Sequence, residues 1–270
     1  MSSMMESKIT PAQHAAIKKV LLAQTESLGQ VEAPNVVSLL KTRPRRSVLD
    51  IGCGEGSFLL KIASAIRSAR FLGIDQNELA IRDALRIMKR KSMRNVTLET
   101  AFFDSTFRQT RFDAIMTRYT VQHSSKPEEF VKSARDRLKR KGTFIAVESL
   151  DDYMDCHVRD PVWVEFRSRL DTIHKRVGSN NNMGKSIGLL LRRAGFRDVR
   201  VQVVLCSPST VGWQRFSRVV RAFAGLAFSF CPDIFDRQLY QDVTAWLDNR
   251  KVVEERDPYL CTALACGNRP

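Results

Sequence analysis

The sequence lacks the features that mark several large classes of protein. Its 270 residues include six cysteines but no Cys-x-x-Cys pair and no histidine at zinc-ligand spacing, so neither a disulfide framework nor a metal site is predicted. No apolar run reaches the ~18 residues that a membrane span requires, and the amino terminus has no apolar signal core. We therefore expect a cytoplasmic protein with no membrane span and no bound metal.

Acidic residues are fewer than basic ones, and the formal net charge is +15. Such an excess suits nucleic acids, anionic membranes or acidic substrates as partners. Two segments, Arg82–Arg94 and Lys132–Lys141, each contain six basic residues and one acid, and their apolar residues have helical spacing. Because aromatic residues are not interleaved there as stacking surfaces, two exposed helix faces are the favoured interpretation. Nucleic-acid binding stays the alternative.

A strand pattern, a glycine turn and a helical pattern follow one another in residues 48–58, after Arg46 and Ser47. The spacing is Asp-x-Gly-x-Gly-x-Gly, and Ser57 stands where the Gly-x-Gly-x-x-Gly fingerprint of dinucleotide binders has its third glycine. The turn predicts a nucleotide that approaches the main chain directly, and it disfavours a pyrophosphate. A purely structural turn is the alternative.

A second apolar run, Phe71–Asp75, ends in an acid 19 residues after Gly56. In a parallel sheet this position places a carboxylate beside the glycine turn, where it can accept hydrogen bonds from both hydroxyls of a ribose. Together, the two features predict a nucleoside site.

Several segments resemble class I S-adenosylmethionine (SAM)-dependent methyltransferases. Leu49–Gly56 and Gly73–Asp75 resemble motif I and the acidic loop of that family. Arg118–His123 and Leu138–Gly142 resemble the segment after strand 4 and the Leu-Lys-Pro-Gly-Gly turn of small-molecule enzymes of the quinone-biosynthesis and natural-product type. The similarity covers about residues 45–206.

The resemblance implies a Rossmann-like, doubly wound α/β fold with seven strands in the order 3-2-1-4-5-7-6, the last strand antiparallel. We expect N-terminal helices in residues 1–45, a SAM-binding core in 46–206, a helical lid in 207–256 and a closing strand in 257–270.

Apolar runs and helix signals predict the element boundaries. Pro34 is expected to separate two N-terminal helices, of which Thr10 caps the first, and Gly142 to end a helix that begins at Pro127. Strands are expected at residues 48–51, 71–75, 96–100, 112–118, 143–148, 199–205 and 259–266.

The resemblance also implies that Asp50 and the glycine turn hold the methionyl part of SAM, Asp75 the ribose, and residues 102–104 the adenine. Phe102 stands where the family has an acid, so the contact to the adenine amine comes from Asp104, two residues later, or is missing. The candidate cofactor-binding residues are Asp50, Gly52, Cys53, Gly54, Gly56, Asp75, Gln76, Phe102, Phe103, Asp104 and Arg118. For both phenylalanines, ordinary core packing is the alternative to a contact with the purine.

The segment after strand 4 is expected to border the transferred methyl group. His123 is the candidate base and Tyr119 the candidate hydrogen-bond donor or cation-facing ring, although family members often carry a histidine here that only packs. Tyr153 and His157 are further substrate candidates, and the apolar stretch 222–230 is interpreted as a lid over a lipophilic or aromatic substrate, a helix packed on the core, or a homodimer contact.

The leading prediction is a SAM-dependent methyltransferase that acts on an O, N or C atom of a small metabolite. The sequence lacks the Asn-Pro-Pro-Tyr type motif and the Pro-Cys or Thr-Cys nucleophile that nucleic-acid methyltransferases commonly show. An RNA or protein methyltransferase that uses the basic faces, and a SAM-binding protein without methyl transfer, stay open.

Overall fold

A computed structural model describes residues 10–42 and 47–270, and within them it shows eight strands and eleven α-helices. The strands are β1 Ser47–Ile51, β2 Arg70–Asp75, β3 Val96–Thr100, β4 Phe112–Arg118, β5 Leu138–Ser149, β6 Asp155–Cys156, β7 Arg197–Cys206 and β8 Pro258–Asn268. The helices are α1 Pro11–Glu26, α2 Leu28–Lys41, α3 Ser57–Ala65, α4 Glu78–Arg90, α5 Pro127–Asp136, α6 Pro161–Val177, α7 Met183–Arg193, α8 Pro208–Val211, α9 Trp213–Phe230, α10 Arg237–Asp248 and α11 Arg250–Arg256. Arg46 and the expected domain boundary at residues 45–46 lie outside the described residues.

The sheet has the strand order β3-β2-β1-β4-β5-β8-β6, and β7 also pairs with β8. Strands β1 to β5 are parallel, whereas β8 is antiparallel to β5 and β6. The predicted order is confirmed, because the closing strand lies beside the fifth strand and next to the 197–206 strand. The sequence did not predict β6, whose two residues are too few to give a pattern. The helices α8 to α11 confirm the helical insertion before the last strand.

The described chain divides into two compact units. The first, here called the sheet unit, comprises residues 32–149, 182–203 and 263–270. Its core contains the fully buried side chains of Leu49, Leu59 and Ile115, which come from β1, α3 and β4. Burial on both faces explains why β1 and β4 are almost continuously apolar.

The second unit, here called the helical unit, comprises residues 10–31, 150–181 and 204–262. Its core is aromatic: the Trp163 ring lies 5.7 Å from Trp246 and 6.0 Å from Phe216, and Phe166 packs edge-on against Phe235 at 6.1 Å. None of the described helices is long and apolar enough to span a bilayer.

The N-terminal helices divide at Ser27, so the prediction that Pro34 separates them was wrong. Thr10 caps α1 as expected, with a reciprocal capping box to Gln13. The Ser27 hydroxyl donates to the carbonyl of Arg215 at 2.5 Å, and the backbone at Ser27 leaves the helical conformation. Pro34 lies inside α2, where it removes only one N–H from the helical ladder.

Helix α5 ends at Asp136 and β5 begins at Leu138, so the prediction that Gly142 ends the helix was wrong. Arg137 is buried, and its side chain donates to the carbonyl oxygens of Phe107 and Ser105 at 2.8 and 2.7 Å. This contact turns the chain out of the helix. The basic residues 139–141 therefore belong to a strand and do not form part of a helix face.

The close packing around Gly73 leads to a stability prediction. A Cβ atom at this position would lie 2.4 Å from Leu59 Cδ2 and 2.9 Å from Leu98 Cδ2. We expect Gly73→Ala to lower the free energy of unfolding by about 1–3 kcal/mol through overpacking. Gly225→Ala is the matched control: it lies inside α9 with its nearest neighbour, Tyr240, at 4.0 Å, and should gain about 0.5–1 kcal/mol. Urea unfolding of both variants measures these changes. Equal changes in the free energy of unfolding would contradict the prediction of overpacking at Gly73.

Candidate functional site

The turn after β1 is built from glycines in the left-handed region of backbone space. Gly52, Gly54 and Gly56 have φ angles of 74°, 55° and 77°, which residues with a Cβ atom rarely adopt. The N–H groups of Gly52 and Cys53 both donate to the carbonyl of Ile74, at 2.8 and 2.9 Å. The turn is therefore tied to the end of β2, and its backbone conformation explains the glycine spacing of the sequence.

The Asp75 carboxylate is fixed by main-chain hydrogen bonds on both oxygens. Oδ2 accepts from the Gly54 N–H at 2.9 Å, and Oδ1 accepts from the Asn77 N–H at 2.8 Å. Burial raises the pKa of Asp75, and these two bonds oppose that shift. The carboxylate is thus locked beside the glycine turn, as the sequence predicted, while Gln76 next to it is exposed.

Asp50 is a buried carboxylate at the end of β1, only 3% exposed. No donor among the described residues hydrogen-bonds to its side chain. Burial raises the pKa of Asp50 well above its ordinary value, repulsion from Asp75 adds to the shift, and Arg118 opposes it. Buried polar groups normally find partners, and a cationic ligand is the partner that favours the ionised form of this carboxyl group.

Arg118 and Tyr119, both sequence-predicted, converge on Glu32 of α2, which the sequence analysis missed. Glu32 is fully buried; its Oε2 accepts from Arg118 Nε at 2.8 Å and its Oε1 from the Tyr119 hydroxyl at 2.5 Å. The Arg118 guanidinium also lies 4.4 Å from the ring centre of Phe58, in the first turn of α3. The available signal was an acid in register with the buried Leu28, Val36 and Leu40 on one face of α2.

Glu148 at the end of β5 was also missed. Its buried carboxylate accepts from the N–H groups of Val121 and Gln122, at 3.0 and 3.2 Å, and more weakly from that of Thr120. Burial raises the pKa of Glu148 to about 8, although these amides favour its ionised form. Glu148 therefore fixes the 3₁₀ turn Val121–His123.

Residues 102–104 divide into one exposed and two structurally engaged side chains. Phe102 is 57% exposed, whereas Phe103 is buried against Phe107 and Phe130, with ring centres 5.4 and 5.2 Å away. Asp104 Oδ1 accepts from the N–H and hydroxyl of Thr106, which lowers the pKa of Asp104. Of these three side chains, that of Phe102 is the one exposed to solvent.

The remaining candidates are exposed. His123 lies on the surface of the sheet unit, and its backbone N–H donates to the Thr120 carbonyl at 3.1 Å. Tyr153 and His157 belong to the helical unit; Tyr153 is 58% exposed. The sheet unit thus brings together Asp50, the glycine turn, Asp75, Arg118 and Tyr119, and the ligand contacts of all the candidate residues stay predictions.

The strand order, the glycine turn and the acid at the end of β2 define a class I SAM-dependent methyltransferase. A family model described as a methyltransferase domain matches residues 43–190, more than half of the chain, and the chain belongs to that family. Its cofactor is SAM.

Two solved structures share the fold of this chain, and one curated protein is similar to it in sequence. A SAM-dependent methyltransferase from Aquifex aeolicus has a TM-score of 0.56 and 14% identity, covering 94% of this chain and 98% of that one. Phosphoethanolamine N-methyltransferase 2 from Haemonchus contortus, solved with phosphomonomethylethanolamine and S-adenosylhomocysteine, has a TM-score of 0.54 and 16% identity, covering 88% and 52% of the two chains. Carboxy-S-adenosyl-L-methionine synthase from Nautilia profundicola is 25% identical over 171 residues, 57% of this chain and 70% of that protein.

The residues of the site fit SAM. The cofactor carries a sulfonium and an ammonium group, and Asp50 is a buried carboxylate without a hydrogen-bond donor among the described residues. The left-handed turn from Gly52 to Gly56 follows Asp50 and has no side chain at alternate positions, so its main chain is open to a ligand there. The carboxylate suits the cationic groups of SAM, and main-chain N–H groups at the start of a helix suit the carboxylate of its methionyl part.

The raised pKa of Asp50 gives a pH prediction. Between the unfolded pKa of about 3.9 and the raised folded pKa, the folded state binds more protons, so stability falls as pH rises, by up to about 1.4 kcal/mol per pH unit. Asp50→Asn removes this term. We therefore expect the stability of Asp50→Asn relative to the wild type to increase from pH 5 to pH 8, measured by urea unfolding without SAM. A difference that is the same at both pH values would contradict the assignment.

Proposed function

We propose that the protein transfers the methyl group of SAM to a small, lipophilic or aromatic metabolite. The observation that carries the cofactor part is the Asp50 carboxylate, which lacks a hydrogen-bond donor among the described residues, beside the glycine turn and Asp75. In this proposal Asp50 and the main chain of residues 52–56 bind the methionyl end, and Asp75 accepts hydrogen bonds from the ribose. Phe102 contacts the adenine, with Phe103 and Asp104 behind it.

Bound SAM supplies an electrophilic methyl group on a positively charged sulfur. The protein's contribution is to align the acceptor atom with that methyl group and to keep water away, which lowers the entropic part of the barrier. The segment 119–123, fixed by Glu148, is the proposed acceptor side of the site. His123 is proposed as the base where the acceptor carries a proton at neutral pH.

The proposed acceptor class draws support from the helical unit. Phe223, Leu226 and Phe230 of α9 are half-buried and lie at i, i+3 and i+7, on one face of the helix. This apolar stripe suits a lipophilic or aromatic molecule, and Tyr153 and His157 add exposed polar groups to the same unit. Homodimer formation through the stripe is the competing proposal.

A second function is favoured by one observation. The relative from Nautilia profundicola is named as a synthase that makes carboxy-SAM, a modified form of the cofactor itself. The two functions differ in their products. With isotope-labelled SAM and metabolite extracts, methyl transfer gives S-adenosylhomocysteine and a labelled acceptor, whereas cofactor modification gives a heavier SAM and no labelled acceptor. Labelled RNA or protein would instead support a macromolecular acceptor.

The proposed ribose contact yields a binding prediction. Asp75→Ala should weaken SAM binding by at least ~100-fold in calorimetry, because two charge-assisted hydrogen bonds and the anchor of the Gly54 N–H are lost together. Circular dichroism should show an intact fold. Asp83→Asn is the control, since Asp83 is a buried acid on α4 that pairs with Arg86. Undiminished SAM binding by Asp75→Ala would remove Asp75 from the site.

A further inference from the structure

Glu32 is a buried titratable group for which the proposed function has no use. It has no exposed surface, yet its carboxylate binds one charged and one neutral donor from adjacent residues, Arg118 and Tyr119. A buried ion pair is weak evidence for a stabilising role, because apolar residues of similar volume often stabilise a core as well or better. The arrangement therefore calls for a role beyond stability.

The ion pair between Glu32 and Arg118 determines the direction of the hydrogen bond between Glu32 and Tyr119. Glu32 forms an ion pair with Arg118 at 2.8 Å, and the carboxylate of an ion pair only accepts hydrogen bonds. A tyrosine hydroxyl has a single proton. In the bond between Tyr119 and Glu32 the tyrosine must therefore donate, and any further hydrogen bond at its oxygen must come from a donor.

The Tyr119 hydroxyl cannot easily reorient, because contacts fix both the backbone and the ring of this residue. Its backbone has a φ angle of 53°, a conformation that costs a non-glycine residue energy, and its N–H donates to the Val147 carbonyl at 2.8 Å. Its ring lies under the Arg118 guanidinium, 4.7 Å from the ring centre. Strain of this kind persists where the surroundings fix a residue for a task.

We propose that Glu32 is a positioning residue that makes Tyr119 a hydrogen-bond acceptor toward the methyl acceptor, so that the site selects acceptors with an O–H or N–H group. The inference rests on the proposed function, because it places Tyr119 on the acceptor side. A protic nucleophile that donates to Tyr119 directs a lone pair away from that bond, toward the methyl group. As the bond from sulfur to the methyl group breaks, the sulfonium becomes a neutral thioether and the methylated acceptor carries the positive charge, which it loses by releasing its proton to His123, the base of the proposed function.

Glu32→Gln is the decisive variant. The carbonyl oxygen of the new side-chain amide keeps the bond to Arg118 Nε, and its NH₂ group then donates to the Tyr119 oxygen, which reverses the direction of that hydrogen bond. With saturating isotope-labelled SAM and a metabolite extract, we expect label incorporation to fall at least ~10-fold while SAM affinity changes less than ~3-fold. Asp83→Asn, the same acid-to-amide change outside the site, should behave like the wild type.

Tyr119→Phe completes a double-mutant cycle and does not disturb the ion pair, so it serves even where Glu32→Gln fails to fold. Because Glu32 acts through Tyr119, the double variant should lose no more activity than Tyr119→Phe alone. Additive losses, unchanged incorporation in Tyr119→Phe, or a product methylated on carbon would overturn the proposal. A wild type that incorporates no label, or binds no SAM, contradicts the proposed function instead, so the two failures are distinguishable.

Discussion

The site depends on one electrostatic constraint: a buried carboxylate, Asp50, that the protein itself leaves without a hydrogen bond among its described residues. Such a group is costly in the folded chain, and the strongly raised pKa of Asp50 expresses that cost. The strand that carries it is buried on both sides and paired with β2 and β4, so the side chain cannot turn to solvent. Packing of the sheet thus holds in place a carboxyl group that burial biases toward its protonated form and that a cationic ligand stabilises in its ionised form.

The groups around Asp50 are fixed by main chain rather than by flexible side chains. Gly52 and Cys53 bond to the end of β2, Asp75 bonds back to Gly54, and Glu148 binds the amides of the turn after β4. Each of these contacts joins the carboxyl ends of two strands. Because neighbouring parallel strands end at the same edge, these bonds give a site with little conformational freedom, which favours binding by reducing the entropy lost on association.

Local sequence signals correctly predicted the structural features that depend on neighbouring residues in the chain. The bounds of β3 and β4, the left-handed glycine turn and the position of Asp75 beside it were all predicted, since each follows from periodicity or from backbone sterics. The failures involve contacts between residues distant in sequence. The hydrogen bond from Ser27 to a carbonyl of α9 and the buried side chain of Arg137 determine where two helices end. Glu32 bonds to residues 86 or more positions away, and the only local sign of this was one acid on an apolar helix face.

The formal charge of +15 and the chemistry of the site have opposite signs. Basic side chains such as Arg82 and Lys139 are exposed, and solvent screens their fields over roughly 8 Å at physiological ionic strength. Inside the site, Asp50 and Asp75 act at short range and in a medium of low polarity, with Arg118 already paired to Glu32. The ligand therefore experiences the local acids more strongly than the distant bases. A cationic cofactor is compatible with a strongly basic chain, because the sum of the charges governs encounter with polyanions while the buried carboxylates govern what is bound.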